Sequence, residues 1–187
     1  MSSNTNNAAL IIWNDLGAGG ANFNGELVEK FKSSFEDGIP FFAAGADLTS
    51  YHLTMDGDNS FATADAWSGL IHLGPSPDHG NPFNNRRVLV TPNASDHVAA
   101  NGPYGLVTEF TYNLALDHPS QVREEGIVFA VDQFGNSQAV ISDLNSDKPA
   151  TFALNCLLHL INEREISEKL FKNVVSNMLR PLRNAIK

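Results

Sequence analysis

A three-layer α/β sandwich with a mostly parallel central sheet is the fold class that this sequence predicts. Two observations predict it. The chain opens on an apolar run, a glycine-rich break, an amphipathic helical stripe and a second apolar run, and that order is the βαβ unit, whose crossover is right-handed and joins parallel strands. The apolar runs are short and continuous, as in strands buried on both faces. A third observation limits the parallel part. Residues 106–142 alternate loosely and carry a hairpin signal, so an antiparallel extension is expected there.

Residues 1–7 are rich in Ser and Asn and read as a disordered lead-in. Ala8 to Trp13 is the first strand. Phe23, Leu27, Val28, Phe31 and Phe35 then recur at helical spacing, and Asp37-Gly38 ends that helix. Ile39 to Ala44 is the second strand. Leu48, Tyr51, His52 and Met55 suit a short helix. Trp67 to Leu73 reads as a third strand closed by Gly74-Pro75, and Val88 to Thr91 as a fourth stopped by Pro92. The polar stretch from Asn93 to Gly105 reads as a long loop, and such loops are often functional. Residues 127–131 and 139–142 flank Gly135-Asn136 as a hairpin. Thr151 to Asn162 reads as a helix apolar on most sides, which closes a domain spanning 8–162. Residues 163–187 form a separate amphipathic tail helix whose row is Leu170, Val174, Met178 and Leu182, with Phe171 and Val175 beside it; Pro181 should kink or end it.

Composition bounds the function classes. The 187 residues are 42% hydrophobic with a net charge of -9, enough apolar material for a core and too few bases for a duplex-binding surface. Nucleic acid is therefore not an expected partner. One cysteine, Cys156, excludes an internal disulfide and a Cys-rich zinc site. No run is long enough for a membrane span, and no leader is recognisable, so a cytoplasmic location is expected. The tail carries six bases against three acids and is mildly basic on an acidic chain.

Several segments carry a family resemblance. Strand one ends in Trp13-Asn14-Asp15. Val88-Leu89-Val90-Thr91-Pro92 leads into Asp96-His97-Val98 and on to Phe110-Thr111-Tyr112-Asn113. The hairpin is followed by Asp143-Leu144-Asn145-Ser146-Asp147 and by Phe152-Ala153-Leu154-Asn155. This order resembles the class I glutamine amidotransferase-like fold, and within it most the ThuA-like branch, across roughly residues 8–162. The resemblance implies a flavodoxin-like sandwich. It does not extend to the family's nucleophile. Amidotransferases set a cysteine on a tight strand-to-helix turn between glycines, with a downstream His-x-Glu. The turns here read Gly74-Pro75-Ser76-Pro77 and Pro92-Asn93-Ala94-Ser95, and neither is a nucleophile elbow.

The remaining candidates are weaker constellations. Gly17, Gly19 and Gly20 lie between a strand and a helix, where backbone N–H groups could hold an anion; the third glycine of a dinucleotide fingerprint is replaced by Asn22. Asp78-His79, Asp96-His97 and Asp117-His118 pair carboxylates with imidazoles, but without metal-ligand spacing. Ser95-Asp96-His97 has triad residue types in contiguity, which defeats triad geometry. Residues 56–67 begin like a calcium loop but lack its Gly and Glu. In open parallel sheets ligands gather at the carboxyl ends of the strands. Asp15, Ser76, His79, Asn93, Ser95 and His97 are expected at that edge, with His97, Asp15 and Ser76 as catalytic candidates and Asn93 and Ser95 as ligand contacts.

The function expected from these features is non-enzymatic: a binding or assembly module without a cofactor or metal, using strand-edge loops or the tail face (Leu170, Phe171, Val174, Met178) against a protein partner or a second copy. The rival expectation is a ThuA-like hydrolase acting on a carbohydrate or related small molecule. That rival requires Asp15, Asn93 and His97 around one pocket.

Overall fold

The computed structural model describes residues 10–15, 25–45, 48, 61–74, 86–113, 122–123, 125–142 and 150–179. The opening βαβ unit forms as the sequence predicts. Strand β1 (Ile11–Asp15) is followed by helix α1 (Gly25–Glu36) and strand β2 (Phe41–Gly45), and the two strands pair in parallel. Helix α1 ends at Gly38, whose φ of 92 suits glycine. The Gly38 N–H donates to the Phe35 carbonyl and the Ile39 N–H to the Ser34 carbonyl, the two bonds of a Schellman terminus. Val28 and Phe31 are buried beneath it.

Two expected elements change type. The run read as a third strand lies in helix α2 (Phe61–Ile71), with His72 in the left-handed region at its end. Trp67, Leu70 and Ile71 are buried at helical spacing while Gly69 is exposed. Conversely, the residues read as a closing helix begin with strand β9 (Thr151–Leu154), all four of them buried, followed by a short 3-10 turn over Leu158–Leu160. A strand buried on both faces is apolar at every position, so its periodicity does not separate it from a buried helix. The short helix suggested around Tyr51 lies outside the described residues.

The other strands are β3 (Arg86–Val90), β4 (Asn101–Gly102), β5 (Gly105–Leu106), β6 (Glu109–Tyr112), β7 (Gly126–Asp132) and β8 (Ser137–Ser142). The main sheet has the order β1-β2-β9-β8-β7-β3-β6. Parallel pairing joins β1, β2 and β9 at one edge, and every pairing from β9 to β6 is antiparallel. The antiparallel extension thus reaches further than residues 106–142 and takes in β3. Strand β3 pairs antiparallel with β7, which points the same way as β9, so β3 runs against β1, β2 and β9.

Helices α1 and α2 cover one face of the sheet, through Phe31, Phe41, Trp67 and their neighbours. The other face is covered by helix α3 (Arg164–Met178) and the segment around Ala94 to Val107. These three layers make the mixed α/β sandwich. Helix α3 is part of it. Leu170, Val174 and Met178 are 0%, 2% and 4% exposed, and Phe171 meets the Phe42 ring edge-on at 5.8 Å between centroids. The face that the sequence offered to a partner is therefore occupied by the chain's own sheet. A buried Asn173 fastens this helix to the β4–β5 hairpin: its amide donates to the Gly105 carbonyl (2.9 Å) and accepts from the Tyr104 N–H (3.1 Å).

Residues 160–163 cross the outer side of β6. Tyr112 bridges Ile161, the Asn162 N–H donates to the Thr111 carbonyl (2.8 Å), and the Glu163 carboxylate accepts from both the N–H and the hydroxyl of Thr111 (2.9 and 2.8 Å). Partial burial pushes the Glu163 carboxyl up, but the Thr111 hydrogen bonds outweigh that and hold it below the usual range. A carboxyl depressed in the folded state contributes above its unfolded pKa and loses that contribution as pH falls through the folded value. Protection of the Thr111 amide should therefore be flat from neutral to alkaline pH and fall under acid. An amide-exchange titration checks this, and an acid-insensitive Thr111 amide contradicts it.

Candidate functional site

The direction of β3 decides where the sequence candidates sit. Because β3 is reversed, the chain leaves Val90 toward the amino ends of β1, β2 and β9. Residues 92–97 follow it there. His97 lines a small cavity with Ile141, Phe152, Val174, Asn177 and Met178. Phe152 lies near the start of β9, and Thr151, at the same cavity, is level with Phe41 and Ile11. Asp15 is at the other end of β1, level with Gly45. Four residue steps and two strand spacings separate the two levels, roughly 15 Å. Asp15 and His97 do not share a site, and the expectation that His97, Asn93 and Ser95 lie at the carboxyl edge is corrected accordingly.

The three loop residues have local duties. The Ala99 N–H donates to His97 Nδ1 (3.1 Å), which places the proton of the neutral ring on Nε2 and closes a tight turn. The Ser95 hydroxyl donates to the Pro92 carbonyl (2.9 Å), and Asn93 is exposed in the 3-10 turn over Pro92–Ala94. The stretch read as a long loop is folded into this turn and the β4–β5 hairpin. The cavity beside His97 has a volume of about 10 Å³, room for one water, whereas small-molecule pockets run to several hundred Å³. Ser76, His79, Gly17, Gly19 and Gly20 lie outside the described residues.

The carboxyl edge holds a different group of side chains, and sequence reasoning missed it. Arg86 opens β3 and Asp132 closes β7. They form a salt bridge with side chains 1% and 0% exposed. A buried charge needs such a partner. Asp132 also accepts from the Phe134 and Asn136 N–H groups (both 2.9 Å) and from the Asn136 amide (3.0 Å), so it shapes the β7–β8 turn. Gln138 accepts from the Tyr112 hydroxyl and from the Asn155 amide (3.4 Å), and the Asn155 N–H donates to the Gln138 carbonyl (2.8 Å). The cluster therefore links β3, β6, β7, β8 and the end of β9. At the turn it supports, Phe134 is 71% exposed, with the Arg86 guanidinium 5.8 Å from its ring centroid. The one sequence signal was an arginine pair opening an otherwise apolar strand.

This edge is built for rigid presentation. Cys156, two residues beyond β9, is 1% exposed, and burial pushes its thiol well up, the reverse of what a nucleophile needs. Native protein should leave a disulfide reagent such as DTNB unreacted and release one thiol equivalent only on unfolding; fast labelling of the native chain contradicts this burial. Among the described residues no three His, Cys, Asp or Glu side chains gather as a metal site.

No protein-family model and no curated protein matches the sequence. Solved structures do match. A protein of Thermoplasma acidophilum described as belonging to GMP synthase superposes with a TM-score of 0.54 at 13% identity, over 95% of this chain and 98% of that one. The fold is amidotransferase-like. A cold-adapted β-galactosidase from Rahnella sp. R3 matches with a TM-score of 0.50 at 12% identity, over 91% of this chain and 22% of that enzyme. At these identities the likeness is one of fold, and fold does not carry activity. No described helix is long and apolar enough to cross a membrane.

Proposed function

We propose that this chain is a non-enzymatic binding or assembly module on an amidotransferase-like scaffold, contacting a protein partner through loops at the strand ends. The observation that supports this reading is the separation of Asp15 from His97 across the sheet; a general base and its orienting partner must lie within hydrogen-bond reach of one another. The tail face is taken up by the core, so the strand-edge loops carry the partner contact. The β7–β8 turn is the best-formed of them. Its exposed Phe134 stands on a buried polar cluster, and a rigid aromatic anchor is what interface hot spots use.

The ThuA-like hydrolase is the reading to be tested against this one. The purified chain should turn over glutamine, p-nitrophenyl acetate and p-nitrophenyl glycosides no faster than buffer. Turnover that His97→Ala or Asp15→Asn abolishes sinks the proposal. Phe134→Asp should remove partner capture and leave the melting temperature unchanged; capture that survives moves the contact elsewhere.

A further inference from the structure

We infer that residues 160–163 are a strap that guards the β6 edge of the sheet against strand addition by a second copy of this chain, with Glu163 as its clasp. An edge strand offers outward N–H and C=O groups as a template for another strand. On β6 the outward pair belongs to Thr111, and the strap satisfies both members: Asn162 donates to the carbonyl, and the Glu163 carboxylate stands in for a backbone acceptor. The Thr111 hydroxyl holds the second carboxylate oxygen, the Asn162 amide donates to that hydroxyl (2.9 Å), and the Asn113 amide donates to the Asn162 side-chain carbonyl (2.6 Å). The Asn113 N–H reaches the Leu160 carbonyl (3.4 Å). Two side chains and one bridge thus do what a full neighbouring strand would do.

The occupant of a bared edge follows from the sequence of β6. Glu109-Phe110-Thr111-Tyr112-Asn113 is self-complementary when two copies run antiparallel about a two-fold axis through Thr111. Thr111 then exchanges its N–H and C=O with its own counterpart. Phe110 faces Tyr112, and Glu109 faces Asn113, so no like charges stand opposite.

The test is amide exchange and light scattering on Glu163→Ala. Exchange of the Thr111 and Asn113 amides should quicken about tenfold while the β9 amides keep their protection. The mass should rise with concentration toward twice the wild-type value. Adding Thr111→Lys, a charge on the edge, should return the mass to wild type. A Thr111 amide that exchanges as in wild type overturns the inference, and so does faster exchange without any rise in mass. If Glu163→Ala costs the β9 amides their protection, Glu163→Gln replaces it. The carboxamide oxygen keeps one of the two Thr111 bonds, so intermediate exchange and a smaller mass rise are expected, and wild-type behaviour in both overturns the inference.

Discussion

Asp132→Ala should cost about 3–5 kcal/mol of stability, the range for breaking a buried ion pair from one side. For a chain of this length that corresponds to a fall in Tm on the order of 10 °C. Two losses combine. Arg86 stays in the interior with a side chain 1% exposed and no carboxylate beside it. The turn loses the acceptor for the Phe134 and Asn136 N–H groups. Arg86→Met should cost less, because the Asp132 carboxylate keeps the turn donors and the long apolar side chain fills the space. Urea unfolding of both variants measures the order. Equal costs would mean that the turn bonds contribute little. A cost under about 1 kcal/mol for Asp132→Ala, the range of a surface pair, would mean that the pair is not buried in solution.

The second large effect concerns helix α3. Leu170 is 0% exposed under the sheet, so Leu170→Ala should cost about 2–5 kcal/mol through lost burial and the cavity left behind. Removing everything after Asn162 should abolish cooperative unfolding, since it uncovers the face formed by Phe42, Phe152 and their neighbours. A free docking helix gives the opposite pattern: Leu170→Ala would leave the melting curve in place and only weaken association. Thermal melts and light scattering on the two variants separate the cases.

What the sequence made legible was local. The α1 stripe and its Gly38 terminus follow from spacing and from one backbone conformation. The β7–β8 hairpin follows from Gly135, whose φ is 89. The α2 and β9 segments were misjudged because each is a short run apolar nearly throughout. A residue's neighbours along such a run do not say whether the period is 2 or 3.6. The reversal of β3 has no local signature at all. Strand direction is set by partners in β6 and β7, up to 46 residues away in the Arg86–Asp132 pair. His97 was placed at the wrong end of the sheet for that reason alone. The same distance hid the carboxyl-edge cluster, whose members look ordinary until pairing brings them together. The strap was hidden too, because Glu163 acts by standing in for a backbone carbonyl.

The placement of residues 92–97 away from Asp15 is the point on which the functional reading turns. Spin labels at Asn14→Cys and Asn93→Cys, both exposed positions, measure it directly by pulsed dipolar spectroscopy, with the buried Cys156 remaining unlabelled. A narrow distance distribution at about 20 Å or more is expected from strand spacing and rise. Dipolar broadening of the continuous-wave spectrum, as from labels side by side at one sheet edge, would contradict the reversed β3 and return His97 and Asp15 to a common site.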